Sequence, residues 1–371
     1  MENLREAFLR ASRGKRGKRE VVAFSRELNV NLAALSRGIL GGTVAVGDFH
    51  SFTIRDPKER IIHAAAFPER VLHHAIINVC EPVFERVAID DSYACRKGKG
   101  REAALARAQS YARGNGWYLQ MDVRKYFDSI DHAVLKRALR RKFKDAALLR
   151  LFDRIIDSYS TAPCRGLPIG SLTSQHFANF FLDALDRFVK ETLRLPYVRY
   201  MDDLVCWADD KATLREARQR ITSFADEFLG LEMKVDLKLN RTTGGVNFLG
   251  YRVLPDRLRL NQRSAQRFRL RLRKLEQSLA LGELSELDFQ QRSTSLCAFA
   301  AKARTWKFRQ QCLSGGDQRA PTALTAAAVG TTTRRTAAPP IATGTTQATA
   351  TTTSASASSI AQSVRVDARM H

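Results

Sequence analysis

The chain has 371 residues, 44% of them hydrophobic, so it can bury a large core, and its length predicts two or three domains. Its formal net charge of +23 favours a polyanionic partner. No apolar run approaches membrane-spanning length, the first residues lack the apolar core of a secretion signal, and the six cysteines form no Cys-x-x-Cys pair. These features argue against a membrane or disulfide-stabilised protein and predict a cytoplasmic protein with reduced thiols.

Lysine and arginine recur in four separate stretches, at 13–19, 96–101, 136–144 and 257–274. A basic arm would concentrate them in one tail. Their spread instead favours a cation-lined channel for nucleic acid, whose affinity should fall steeply with salt.

The first 48 residues are predicted to be helical, with apolar stripes between basic ones. A structural cap on the next domain and a contact with RNA are equally compatible with that pattern. Two β-prone runs then flank Asp56-Pro57, which predicts a hairpin carrying Arg55 and Arg60 at its inner ends. Helical periodicity resumes at Pro68, and residues 92–101 form a basic, glycine-containing loop suited to a phosphate backbone.

Asp122 ends an apolar run that begins at Trp117 and is followed by a helical pattern. The sequence therefore predicts Asp122 at the carboxyl end of a strand. Asp128 and Asp131 are predicted to cap helix starts, where a carboxylate satisfies free backbone N–H groups.

A glycine-rich block at 166–175 precedes an apolar helix predicted over 177–188, and β-prone runs then flank Asp202-Asp203. This pattern predicts a tight hairpin with two adjacent carboxylates at its tip. Such a pair is costly unless a cation is held there, and hard oxygen ligands suit Mg²⁺. An acidic surface turn is the alternative for an isolated pair, but Asp122 supplies a third carboxylate, as two Mg²⁺ ions require for phosphoryl transfer.

A helix is predicted over 213–228, followed by a turn and a strand at 244–251 and a basic helix over 257–279. The last helical pattern ends near 306–313. Beyond it, 28 of the 40 residues from 321 to 360 are Thr, Ala or Ser, which predicts a disordered tail.

The Asp122 block, the glycine-rich block and Tyr200-Met201-Asp202-Asp203, in this order, resemble the reverse transcriptase family over roughly residues 1–312. The resemblance implies an α/β (α+β) right-hand polymerase fold, with a palm built from an antiparallel sheet plus helices. The implied divisions are a helical extension at 1–48, fingers at 49–116, a palm at 117–252 with finger elements near 133–168, a helical thumb at 253–313 and a disordered C-terminal tail at 314–371.

The resemblance also implies roles for individual residues. The two Mg²⁺ ions would be held by Asp122, Asp202, Asp203 and the backbone of Val123, and Lys238 would be the general acid, with Lys234 as its rival. The implied nucleotide-binding residues are Arg55, Arg60, Phe127, Ile169, Gly170 and Gln175, Phe127 either excluding a 2′-hydroxyl or belonging to the core. The implied primer- and template-binding residues are Arg96, Lys97, Tyr200, Met201, Phe248, Leu249 and Gly250.

Ile169 and Gln175 stand where many reverse transcriptases have Gln and Pro, and this departure resembles the enzymes of diversity-generating retroelements. That resemblance implies a template-repeat RNA copied with errors at adenines, a DNA or RNA primer, deoxynucleoside triphosphates and a small basic accessory protein that forms a ring. A group II intron or retron enzyme, and an inactive RNA-binding scaffold, are the alternatives.

Overall fold

The structure is a computed structural model that describes residues 1–55, 59–303 and 305–314, and it is of mixed α/β class. The chain divides into two compact units, of which the first is Met1–Arg257 and the second begins at Leu258. The predicted disordered tail lies outside the described residues. Among the described residues, no helix is both long and apolar enough to span a membrane.

The first unit contains both helices and strands. The helices are α1 (Glu2–Ser12), α2 (Arg19–Arg26), α3 (Leu28–Leu40), α4 (Phe67–Val87), α5 (Arg101–Gly114), α6 (Tyr126–Ser129), α7 (His132–Lys142), α8 (Ala146–Asp157), α9 (Leu172–Phe181), α10 (Asp183–Arg187) and α11 (Lys211–Leu229). The strands are β1 (Phe49–Ile54), β2 (Arg60–Ala65), β3 (Trp117–Asp122), β4 (Tyr197–Tyr200), β5 (Asp203–Ala208), β6 (Lys238–Arg241), β7 (Val246–Phe248) and β8 (Tyr251–Val253).

A four-stranded antiparallel sheet with the order β4-β5-β3-β6 forms the centre of this unit. Leu119 and Val205 are fully buried on its two inner strands, which explains their continuous apolar sequences. β6 is an edge strand, and Lys238 and Asn240 on it are exposed. The buried inner strands give the sheet a fixed register, because a one-residue slip would turn every side chain to the other face.

The predicted amino-terminal helices are present, and α1 and α2 pack on α4. The rings of Phe8, Phe24 and Phe67 lie 5.2–6.0 Å from one another. This aromatic cluster gives α1 and α2 a structural role as a cap on α4.

β1 and β2 form the predicted hairpin, with Ile54 opposite Arg60. The Asp-Pro turn that joins them lies outside the described residues. β1 is mostly exposed and β2 is mostly half-buried, and Phe52 and Ile61 are 44% and 54% exposed.

Three predicted elements need correction. The single helix expected over 177–188 is three segments, because α9 ends at Phe181, α10 follows, and a π-helical turn spans Phe188–Thr192. The single strand expected after Gly244 is the hairpin of β7 and β8, because Leu249 and Gly250 both have positive φ (50° and 91°) and reverse the chain. The basic helix expected from Arg257 begins at Gln262, after a short strand.

The second unit contains β9 (Leu258–Leu260), α12 (Gln262–Ala280), α13 (Glu286–Ala301) and α14 (Trp306–Ser314). Phe268, Leu272, Cys297 and Ala300 form its small core. All six cysteines of the chain are free thiols, as predicted.

Candidate active site at the carboxylate cluster

Asp122 and Asp203 face each other across the central sheet. Asp122 is the last residue of β3, Asp203 is the first residue of β5, and the antiparallel register pairs them directly. Asp202 precedes Asp203 in the turn, and the charge of Asp122 acts on both of the other carboxyls. The predicted convergence of two strand ends is confirmed, and we call Asp122, Asp202 and Asp203 the carboxylate cluster.

The turn that carries Asp202 is fixed by a buried ion pair beneath it. Met201 adopts a left-handed conformation with φ of 56°. Its carbonyl accepts a hydrogen bond of 3.1 Å from Arg199, which is 1% exposed and donates to both carboxylate oxygens of Asp186. Arg199 also donates to the side chain and the backbone carbonyl of Asn179. Because its donors are engaged on several sides, Arg199 holds the Met201 carbonyl in one place.

Lys234 makes the closest cationic contact with the cluster, with its Nζ 2.5 Å from Asp122 Oδ2. The backbone reinforces this contact, since the Lys234 N–H donates to the Asp122 carbonyl at 2.9 Å. Lys238 lies opposite Gln120 at the start of β6, and its side chain is exposed. The two rival lysines therefore both flank the cluster, but Lys234 is already paired with one of its carboxylates.

Burial raises the pKa values of two of the three carboxyls. The pKa of Asp203 rises to about 7, mainly through desolvation and also through the charges of Asp122 and Asp202, while Gln120 and Lys238 oppose the rise. The pKa of Asp202 is also raised, by desolvation first and then by Asp122, and the charges of Lys234 and Arg60 oppose this shift. Shifted pKa values of this kind are typical of functional sites, where carboxyl groups are held together in buried surroundings that disfavour their charged form.

The carboxylates suit a hard divalent cation. Asp122 Oδ1 is buried without a hydrogen-bond partner, although such an oxygen ordinarily has one. Across the described residues, no group of three or more His, Cys, Asp or Glu side chains is already arranged to hold a metal ion. Lys234 contacts Oδ2 of Asp122, and Gln120 donates to Oδ1 of Asp203, so each occupies one carboxylate oxygen. The oxygen chemistry and the unpartnered Oδ1 fit Mg²⁺, with Lys234 displaced from its present contact.

Val123, the predicted backbone ligand, follows Asp122 directly and is fully buried. It forms an isolated β-bridge with Met233, and the Arg124 N–H donates to the Glu232 carbonyl at 2.8 Å. Backbone contacts therefore fix the segment after Asp122 against residues 232–234, which include Lys234.

The glycine-rich block packs against the β1–β2 hairpin. The His63 N–H donates to the Ile169 carbonyl at 2.7 Å. Gly170 has φ of 117°, and a Cβ there would lie 2.7 Å from Ile62 Cγ2, so a larger residue would push the hairpin away. Arg60 is exposed on this hairpin and acts electrostatically on Asp202. Arg55 is also exposed, and its contact with Glu59 is 3.6 Å long.

The other predicted nucleotide-binding residues lie on nearby helices. Phe127 is half-buried on α6 against the core, with its ring centroid 5.7 Å from that of Tyr126. Gln175 is half-buried in α9 and accepts a weak hydrogen bond from the Cys95 thiol at 3.7 Å. The predicted cap is confirmed for Asp131, which accepts from the Val134 N–H, whereas Asp128 lies within α6.

The predicted primer and template residues differ in their surroundings. Arg96 is engaged within the protein, where it pairs with Glu85 at 2.9 Å and donates to the carbonyls of Ile89 and Ser92. Lys97 beside it is exposed. Phe248 is fully buried.

Tyr200 is the last residue of β4 and pairs with Asp203, Met201 follows it in the turn of the carboxylate cluster, and Leu249 and Gly250 form the turn between β7 and β8.

Two functional contacts escaped the sequence analysis. Gln120 donates to Asp203 Oδ1 at 3.0 Å, and strand periodicity could have indicated it, since it lies two residues before Asp122. The Arg199–Asp186 pair has no such signal, because its members lie on different elements.

Comparison with known proteins identifies relatives. Residues 55–253, just over half of the chain, match the sequence profile of a family described as reverse transcriptase (RNA-dependent DNA polymerase). The chain is 22% identical over 250 residues to the protein YkfC of Escherichia coli K12, covering 55% of this chain and 66% of YkfC. It is 27% identical over 143 residues to the group II intron-encoded protein LtrA of Lactococcus lactis subsp. cremoris, covering 36% of this chain and 23% of LtrA. The chain thus spans less than two thirds of either relative.

Among solved structures, an apo telomerase from Candida tropicalis aligns with a TM-score of 0.46 at 10% identity, covering 58% of this chain and 49% of that one.

Proposed function

We propose that this chain, which belongs to the reverse transcriptase (RNA-dependent DNA polymerase) family, copies an RNA template into DNA at the carboxylate cluster. One observation carries the proposal. The register of β3 and β5 sets Asp122 opposite Asp203, and Asp202 is adjacent in the turn. Three carboxylates are thereby concentrated at one end of the two inner strands of the sheet, inside the matched residues.

The chemistry would be attack of a primer 3′-hydroxyl on the α-phosphate of a deoxynucleoside triphosphate, with pyrophosphate leaving. Asp122, Asp202, Asp203 and the Val123 carbonyl would hold two Mg²⁺ ions, which supply charge stabilisation for the attacking and leaving oxygens. Lys238 would donate a proton to the pyrophosphate. Its exposed amine favours it over Lys234, because Lys234 is paired with Asp122.

The incoming nucleotide would lie on a surface shared by the β1–β2 hairpin and the glycine-rich block. Arg60 would bind the triphosphate, since its charge already reaches Asp202, and Arg55 would assist it. Phe127 would exclude ribonucleotides by blocking a 2′-hydroxyl. Ile169, Gly170 and Gln175 would contact the nascent base pair, and the backbone contact of Ile169 with His63 supports a shared surface.

The primer and template would be held on both sides of the cluster. Tyr200, Met201 and the β7–β8 hairpin, with Phe248, Leu249 and Gly250, would support the primer end. Lys97 would contact the template, and Arg96 would shape that loop from within, given its bonds to Glu85. In this proposal, residues 1–48 form the helical extension, 49–116 the fingers, 117–252 the palm and 253–313 the thumb.

At a finer level, we propose a diversity-generating retroelement enzyme that copies a template-repeat RNA with errors at adenines. Ile169 and Gln175 support this as a shared departure from the common pattern, and the apolar side chain of Ile169 beside the nascent pair would remove a polar contact with the nucleotide. A small basic accessory protein ring would be a partner. The reaction would take place in the cytoplasm, where the six free thiols would stay reduced.

A group II intron-type enzyme is the second candidate. The similarity to LtrA favours it. The two candidates differ in fidelity, since only the first predicts frequent misincorporation opposite template adenine. An Ile169→Gln enzyme that misincorporates as often as the parent would remove the physical argument for the first.

The experiment is primer extension by the full chain on an RNA template with Mg²⁺ and deoxynucleotides. We expect extension by the parent protein and a loss of at least about a thousandfold for Asp202→Asn, because a ligand of the reacting centre is removed. The products are then sequenced to score errors opposite adenine. If the parent binds RNA but never extends a primer, the chain is an RNA-binding scaffold and the proposal is wrong.

A further inference from the structure

The side chain of Gln120 joins the carboxylate cluster to the β7–β8 hairpin. Gln120 lies on β3 two residues before Asp122, so the two side chains project from the same face of the strand. Its Nε2 donates to Asp203 Oδ1 at 3.0 Å and to the Asn247 carbonyl at 2.9 Å. A single amide nitrogen thus uses both of its protons on two elements that are distant in sequence.

The orientation of this amide is determined by its partners. A flipped amide would set the Gln120 Oε1 against Asp203 Oδ1 and the Asn247 carbonyl, which are both acceptors. In the orientation present, Oε1 is buried without a hydrogen-bond partner. The unsatisfied oxygen follows from the two bonds of Nε2. The amide orientation that donates to both acceptors leaves Oε1 without a donor.

We infer that Gln120 is a positioning residue, which fixes the Asp203 carboxylate relative to the β7–β8 hairpin. The inference rests on the proposed function, in which that hairpin supports the primer end. A displacement of β7 would move the Gln120 amide and, with it, Asp203. Gln120 therefore makes the geometry of the cluster depend on the position of the hairpin.

The side chain of Gln109 also contacts the hairpin region, but its bond does not involve the carboxylate cluster. Gln109 Nε2 on α5 donates to the Leu254 carbonyl, just after β8, at 3.0 Å. This bond has the same donor, the same kind of acceptor and nearly the same length as the bond from Gln120 to Asn247, and both glutamines are half-buried. Gln109→Met is therefore a matched control for Gln120→Met, since both lose an amide bond to a backbone carbonyl but only Gln120 also contacts Asp203.

The experiment measures the pre-steady-state burst of single-nucleotide addition by the full chain on a primer annealed to RNA, at a series of Mg²⁺ concentrations. We expect Gln120→Met to slow the burst by about 10- to 100-fold and to raise the half-saturating Mg²⁺ concentration, as loss of a group that orients a metal-binding carboxylate does. Gln109→Met should leave both quantities within about twofold of the parent, as expected for a change remote from the reacting centre.

The burst separates positioning from folding. A purely structural loss lowers the burst amplitude, which counts correctly folded enzyme, and leaves the burst rate and the Mg²⁺ midpoint unchanged. If Gln120→Met gives no burst, Gln120→Ala is measured in its place, since it removes the same amide without filling its space.

The inference is overturned if Gln120→Met or Gln120→Ala matches Gln109→Met in rate and Mg²⁺ midpoint. Absence of extension by the parent protein would instead overturn the proposed function. The two failures are therefore distinguishable.

Discussion

Replacing Asp203 by Asn is expected to stabilise the protein while abolishing its activity. Burial and the neighbouring carboxylates raise the pKa of Asp203 from 3.8 to about 7. At pH 8 the folded protein must hold a charge that its surroundings disfavour. The amide that replaces this carboxylate would carry no charge, and its oxygen could still accept the hydrogen bond from Gln120.

The size of this stabilisation follows from the difference between the pKa of Asp203 in the folded protein and its ordinary value of 3.8. Each unit corresponds to about 1.4 kcal/mol, so a shift of roughly three units sets an upper limit of about 4 kcal/mol on the stabilisation. Relaxation and water reduce this, and we expect roughly 1–3 kcal/mol, or several degrees in the thermal midpoint.

The direction of the pKa shift determines how the stability of the protein depends on pH. The folded protein binds more protons than the unfolded chain between about pH 4 and pH 7, so the stability contributed by this group falls as pH rises through that range. The increase in thermal midpoint of Asp203→Asn over the parent should therefore be near zero at pH 4, grow up to about pH 7 and stay constant above it.

The assay is differential scanning calorimetry in EDTA from pH 4 to pH 9. Adding Mg²⁺ should reduce the advantage, because a bound cation stabilises only the parent. The control is Asp209→Asn, at the exposed residue just after β5, which should not alter the midpoint. A lower midpoint for Asp203→Asn at pH 8, or an advantage that does not vary with pH, would refute the reasoning.

Three further predictions concern the substrates. Phe127→Val should lower the preference for deoxynucleotides over ribonucleotides in kcat/KM by at least about tenfold, since the ring that would meet a 2′-hydroxyl is reduced; an unchanged ratio would assign Phe127 to the core alone. Arg60→Ala should raise the KM for deoxynucleotides by about tenfold and more than Arg55→Ala does, through loss of a charge-assisted contact; equal effects would contradict the role of Arg60. The affinity for primer–template, measured by fluorescence anisotropy, should fall at least about a hundredfold from 50 to 200 mM salt; a flat dependence would contradict a cation-lined channel.

The sequence was sufficient where a local pattern dictates structure. Asp122 ends a strand because an apolar run stops there, and the tip of the hairpin at Asp202 follows from the two β-prone runs beside it. The helix expected over 213–228 is α11, extended by two residues at its start because Asp210 caps it.

Contacts between residues that are distant in the chain could not be predicted from the sequence. Arg96 looked free to bind a phosphate, but Glu85 and two backbone carbonyls take up its donors. β6 showed no strand pattern, because its side chains on the edge of the sheet are mostly polar and exposed. Leu249 gave no signal for a turn, since a leucine with positive φ is uncommon.

The most direct test of the account is a crystal structure of the full chain with an RNA template, a DNA primer, an unreactive deoxynucleotide analogue and Mn²⁺, which anomalous scattering locates. The account predicts two ions bound by oxygens of Asp122, Asp202 and Asp203 at about 2.0–2.2 Å, with Lys234 displaced from Asp122. Ions bound elsewhere, or an intact Lys234–Asp122 pair beside a bound nucleotide, would contradict it.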